Sequence, residues 1–139
     1  MAHDGRMTTG PELIEPAQWV LRIALALVFV GMGINHFRPG PARVMAKFIP
    51  PSIRREGLLN PLNLVYFTGA CEIAGGIGIL IPGVRTAAAI GLVAFLILVF
   101  PANAHAAAHP AEFRSLAIPF WRRYFAQLAL ILVVILAAV

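Results

Sequence analysis

Between Pro61 and the pair Pro82-Gly83 the chain reads LNLVYFTGACEIAGGIGILI, an uninterrupted run (Leu62–Ile81) whose one charged residue is Glu72. At about 1.5 Å of rise per residue, roughly twenty residues of helix cross a hydrocarbon core about 30 Å thick. Proline is well suited to the first helical position, whose amide has no intrahelical partner, and a Pro-Gly pair stops a helix. The run therefore predicts a membrane-spanning helix over 62–81 with a carboxyl near the bilayer midplane.

Three further runs of the same kind surround it. The first covers 17–37 and contains Arg22, the third covers 85–102, and the fourth covers 118–139 behind the collar Trp121-Arg122-Arg123-Tyr124. Aromatic and cationic residues of that kind gather where a span meets the membrane surface. The short link Pro82–Val84 makes the second and third spans an antiparallel hairpin. The expected architecture is all-α, an integral membrane four-helix bundle over 17–139 preceded by a polar N-terminal tail, 1–16.

Composition agrees with a bilayer as solvent. Of the 139 residues 60% are hydrophobic and 12% charged, with a mean hydropathy of +0.83, whereas soluble domains carry about 25% charged residues. The net charge of +5 could suit nucleic acid if it formed one patch, but the basic residues are scattered in short links between apolar runs, where they set topology and meet anionic head groups. The single cysteine, Cys71, excludes an intrachain disulfide, a C-x-x-C pair and a cysteine zinc site. Asp4, Glu12 and Glu15 against Arg6 leave the N-terminus without the positive region of a secretory signal, so the first run is expected to be retained.

The only long link, 35–61, has prolines at 39, 41, 50, 51 and 61, which exclude one continuous helix. A short helix fits between them at Pro41–Ile49, where Val44, Met45, Phe48 and Ile49 share an apolar face suited to the membrane interface. This link holds Arg38, Arg43, Lys47, Arg54 and Arg55, and the link before the fourth span leads through Arg114 to Arg122 and Arg123; Arg6 and Arg85 fall on the other side. The positive-inside rule places both links in the cytoplasm and both termini outside it.

Glu72 is the residue with the most chemistry to explain. An ionised side chain at the bilayer centre costs at least about 2.5–3.5 kcal/mol, so it needs a cationic or hydrogen-bonding partner or must carry a proton. Gly69 and Gly76, one turn to either side, let a neighbouring backbone approach and turn the carboxyl inward. Arg22 is a candidate structural partner for Glu72, and the alternative is that Arg22 reaches outward to the surface while Glu72 locks helices by hydrogen bonds. Alternating topology brings His36 at the end of the first span, Asn103 after the third, and Arg123 with Gln127 one turn below it towards one mouth of the bundle, with Tyr66 on the second span as a further ligand-binding candidate. His105 and His109 share i, i+4 spacing, but Pro110 follows and no third ligand is fixed, so no metal site is assigned. Phosphate-binding, nucleophile-elbow, dinucleotide and haem-attachment motifs do not occur.

Taken in order, Asn35-His36-Phe37, Phe48-Ile49-Pro50-Pro51, Gly69-Ala70-Cys71-Glu72-Ile73-Ala74-Gly75-Gly76, Pro82 with Arg85, Phe100-Pro101-Ala102-Asn103, and Arg123 with Gln127 resemble the DoxX family of bacterial membrane proteins. The resemblance covers roughly 21–129 and implies a four-helix membrane bundle whose characteristic polar positions are His36, Glu72, Asn103, Arg123 and Gln127. It also implies a link to redox or oxidative-stress assemblies, the family being named from thiosulfate:quinone oxidoreductase subunits. The His105/His109 stretch and the longer N-terminus depart from that pattern.

The leading expectation is an accessory membrane subunit, not catalytic on its own, that binds a small lipophilic ligand such as a quinone in the polar mouth. Electrons would then come from a redox protein partner. A purely structural or assembly subunit is the first alternative, and a small proton-coupled transporter, which four helices would support only as a homo-oligomer, the second.

Overall fold

The computed structural model describes residues 10–139, with side chains from Ile14 onward. Its elements are α1 (Gly10–Asn35), α2 (Pro39–Phe48), α3 (Pro61–Gly78), α4 (Arg85–Ala108), α5 (Pro110–Phe113) and α6 (Phe120–Ala138), with 3-10 turns at Pro51–Ile53, Gly57–Leu59 and Arg114–Leu116. No strand occurs among the described residues. Of the expected polar tail, residues 1–9 lie outside the described part; from Gly10 the backbone is already helical and runs on through Pro16.

Among the described residues three helices are long and apolar enough to cross a membrane: Ile14–Asn35, Arg85–Ala108 and Phe120–Ala138. That is consistent with a multi-pass membrane protein. The expected second span, 62–81, is not among them. Its helix, α3, ends at Gly78, ahead of the expected boundary at Ile81, and Asn63, Glu72 and its glycines dilute its apolar character.

Local chemistry accounts for the boundaries. Gly57 has φ +69°, a left-handed conformation that glycine takes without a Cβ clash, and it turns the chain into α3. The Asn60 side chain then caps α3 by accepting from the Asn63 amide at 2.9 Å, with Pro61 in the first turn. Pro101 was expected near the end of its span, yet α4 continues to Ala108. The hydrogen bond lost at Pro101 is offset because the added turn packs, with Ala106 fully buried and Asn103 held by α6. The extension puts Asn103 and His105 on a helix instead of in a link.

The helices pack in cyclic order: α1 on α3, α3 on α4, α4 on α6 and α6 back on α1, with α2 against α3 and α4. Leu25, Phe29, Ile79, Leu92 and Val134 form the core between them. Val20, Leu27, Leu98 and Leu132 face outward and are more than half exposed, a surface suited to acyl chains and not to water. The α1–α3 seam is the closest. A Cβ on Gly33 would lie 2.7 Å from the Gly69 carbonyl oxygen, and one on Gly69 would lie 2.9 Å from the Gly33 carbonyl oxygen, so backbone meets backbone there.

Candidate functional site

The glycine contact at Gly69 positions the first functional side chain. His36 follows α1 directly, and a Cβ on Gly69 would lie only 2.6 Å from the His36 Cβ, so glycine is what lets the imidazole lie against α3. Its Nδ1 is 2.9 Å from the Val65 carbonyl oxygen and 3.1 Å from Thr68 Oγ1. Thr68 Oγ1 itself donates to the Val65 carbonyl at 2.8 Å. A carbonyl can only accept, so Nδ1 carries a proton and donates. That leaves Nε2 facing Glu72 Oε2 at 3.4 Å.

A proton placed between these two groups would have two seats. With it on the imidazole the pair is an ion pair; with it on the carboxyl both groups are neutral. The net charge of the pair would be zero in either form, a state that suits an acidic side chain 7% exposed in an apolar helix. The 3.4 Å separation is long for a hydrogen bond, and Glu72 Oε2 is buried without a hydrogen-bond partner.

A second polar group bridges α4 and α6. Arg123 donates from Nη1 to Asn103 Oδ1 at 2.6 Å and from Nη2 to the Leu116 carbonyl at 2.8 Å. Its guanidinium lies over the Phe48 ring, 5.9 Å from the centroid, which ties α2 to the same cluster. One turn on, Gln127 Nε2 donates to the Leu96 carbonyl at 2.6 Å. Arg123 Nε is buried with no acceptor.

His36, Glu72, Asn103, Arg123 and Gln127 all line one cavity of about 1170 Å³. Thr68 joins them there, a residue that sequence reasoning missed. Its signal was present: a threonine one position before the glycine that receives His36. The rest of the wall is almost wholly apolar, contributed by α1, α2, α3, α4 and α6. Tyr66 is not brought to this site; its ring stacks on Phe37 with centroids 5.6 Å apart.

The Arg22–Glu72 pairing is not formed. Arg22 donates from Nε to the Ala137 carbonyl at 2.8 Å and from Nη2 to the Val139 backbone oxygen at 3.0 Å, and it lies over Trp19. The carbonyls at a helix C-terminus lack intrahelical donors and carry partial negative charge, so a guanidinium beside them is stabilised. Glu72 sits level with the Phe29–Gly33 part of α1, given that Gly76 meets Phe29 and Gly69 meets Gly33. Arg22 is thus about 10–16 Å away along the helix axis. His109 Nδ1 donates to the His105 carbonyl at 2.8 Å, closing the end of α4. Among the described residues no three His, Cys, Asp or Glu side chains gather as a metal site.

The class defined by these features is an all-helical membrane-type protein with a polar-ended cavity between its helices. The family model for a domain of unknown function, DUF8561, matches residues 25–139, and the chain belongs to that family. No curated protein and no solved structure matches it.

Proposed function

We propose that this chain is a four-helix transmembrane protein that holds a small lipophilic molecule, in the leading case a quinone, as an accessory subunit of a redox-linked membrane assembly. The observation that carries the reading is the convergence of His36, Glu72, Asn103, Arg123 and Gln127 on one otherwise apolar cavity. Two polar atoms at that site, Glu72 Oε2 and Arg123 Nε, are buried without partners. Buried polar atoms are ordinarily satisfied, and each one left open is destabilising until an acceptor or donor arrives. A carbonyl oxygen of a quinone would accept from Arg123 Nε–H, and His36 Nε2 beside Glu72 Oε2 puts two proton-binding atoms at the same cavity.

The direction of α3 supports treating it as a fourth crossing. Gly33 meets Gly69 and Phe29 meets Gly76, while Gly75 meets Leu92 and Gly78 meets Ala88, so α3 runs antiparallel to both α1 and α4. Helices α1 and α4 are therefore parallel, and a chain that crosses a membrane in both must cross back between them. The charge pattern supports a cytoplasmic side for the α1–α3 and α4–α6 links. The resemblance to DoxX proteins supports the redox setting. With one thiol and no thiol pair of its own, the chain would receive electrons from a protein partner.

Native mass spectrometry of gently purified protein tests the reading. The wild type is expected to carry a bound apolar molecule, and Glu72→Gln, which keeps shape but cannot ionise, is expected to lose it while unfolding at a similar temperature. Wild-type protein that holds no small molecule in any mild detergent overturns it. One observation favours a second reading, a structural subunit: Glu72 lies between the two glycines, Gly69 and Gly76, that seat α1. On that reading Glu72→Gln lowers stability without changing what is bound.

A further inference from the structure

The cavity does not stop at its polar end. Helices α3 and α4 touch near their hairpin, where Gly75 faces Leu92 and Gly78 faces Ala88. The same cavity nevertheless extends between them to Phe67 and Leu98, which are 66% and 77% exposed. Its rim is therefore apolar and lies on an outward face, level with the body of two helices and away from the charged links.

Gly91 marks this crevice. Glycine inside a helix is destabilising relative to alanine because it loses more backbone freedom on folding, and the glycines of α3 are each explained by a neighbour they admit. Gly91 has none: a Cβ there would meet nothing within 4 Å, yet the residue lines the cavity with Ala94 one turn on. What its missing side chain leaves room for is outside the protein. The second observation is Glu72, 7% exposed, lining the same cavity with Oε2 making no hydrogen bond and His36 Nε2 only as near as 3.4 Å.

We infer that the ligand is a chain-bearing amphiphile taken from the bilayer, its apolar chain lying in the α3–α4 crevice across Gly91 and its oxygen-bearing head between Glu72 and Arg123. This rests on the ligand-binding reading above and adds the chemical class and the route. A cavity of about 1170 Å³ exceeds the roughly 300–1,000 Å³ that encloses a compact drug-sized molecule, and the surplus is apolar. A head alone would leave most of that wall uncovered. A single hydrocarbon chain covers it, and an apolar portal in acyl-chain surroundings admits such a molecule without passage through water.

The test uses full-length protein in lipid nanodiscs with two probes, a benzoquinone bearing a decyl chain and the same ring without it, and reads bound quinone by equilibrium dialysis. Gly91→Phe and Ala94→Phe place a ring in the crevice. Gly31→Phe on α1 is the control, since Gly31 also has nothing within 4 Å but does not line the cavity. Both crevice variants are expected to bind the decyl probe at least about tenfold more weakly and the chainless ring within about twofold of wild type. The control should match wild type for both probes, and circular dichroism should show all three folded. Crevice variants that hold the decyl probe like wild type overturn this inference and leave the ligand reading standing. Equal loss of both probes from folded crevice variants also overturns it, because the chain would then have no separate seat. A wild type that binds neither probe overturns the quinone reading and this inference together.

Discussion

Helix α3 has two unlike neighbours. Against α1 it is sealed by glycines, with the Gly33 and Gly69 backbones in mutual contact and His36 seated where a Gly69 side chain would be. Against α4 it closes near the hairpin and then leaves a crevice that includes Gly91. The same residue type thus does opposite things on the two sides. Where glycine brings backbones together it makes a seam, and where it faces no atom it makes room. Glu72 lies where these meet, bonded through neither helix backbone but paired with His36 across the seam and open to the cavity.

Breaking the seam has the largest expected effect. Gly69→Leu puts its Cβ 2.6 Å from the His36 Cβ and 2.9 Å from the Gly33 carbonyl, and overpacking of this kind costs about 1–3 kcal/mol or more. Because backbone is the obstacle, the variant is expected to unfold at a markedly lower temperature in detergent and to lose the His36–Glu72 contact. Unfolding at the wild-type temperature would show that α1 and α3 are not joined through these glycines.

An intermediate effect is expected at Arg22. Arg22→Met deprives the Ala137 carbonyl of its guanidinium donor and leaves the Val139 backbone oxygen with Gln18 alone, a loss of about 1–3 kcal/mol. A double-mutant cycle with Glu72→Gln sharpens the comparison, since sites this far apart with no shared partner are additive to within about 0.5 kcal/mol. A coupling well above that value would reinstate the Arg22–Glu72 ion pair.

The smallest effect belongs to the open side. Gly91→Ala adds a methyl group to empty space and removes a weak helix former, so stability should rise by up to about 1 kcal/mol. Chemical unfolding of Gly91→Ala beside Gly69→Ala compares the two faces with one substitution. A destabilised Gly91→Ala would mean that α4 packs more closely there than the crevice allows.

Helical class, the hairpin at Pro82–Val84 and the short helix of the first link were legible because each depends on local chemistry: apolar run length, proline placement and glycine turns. The polar cluster was legible almost residue by residue, since a polar side chain in an apolar helix has few places to go. His36, Glu72, Asn103, Arg123 and Gln127 were singled out by their positions in the expected topology and by the resemblance to DoxX proteins, and all five line one cavity. Tyr66 was not separable from them in that way. One residue of helix turn decides whether a side chain on α3 meets the cavity or, as here, the ring of Phe37.

The sequence by itself determined that this chain is helical, that its surface suits a bilayer, and which few side chains would have to be neutralised inside it, because those properties follow from hydropathy and hydrogen-bonding capacity along a single segment. Only the tertiary structure decided the partners. Arg22 and Glu72 are a basic and an acidic side chain and looked like a pair, but helix α1 meets the end of α6 at Arg22 and meets α3 at Gly33. Charge says that a partner is required. Helix register, set by glycine contacts tens of residues apart in sequence, says which one it is.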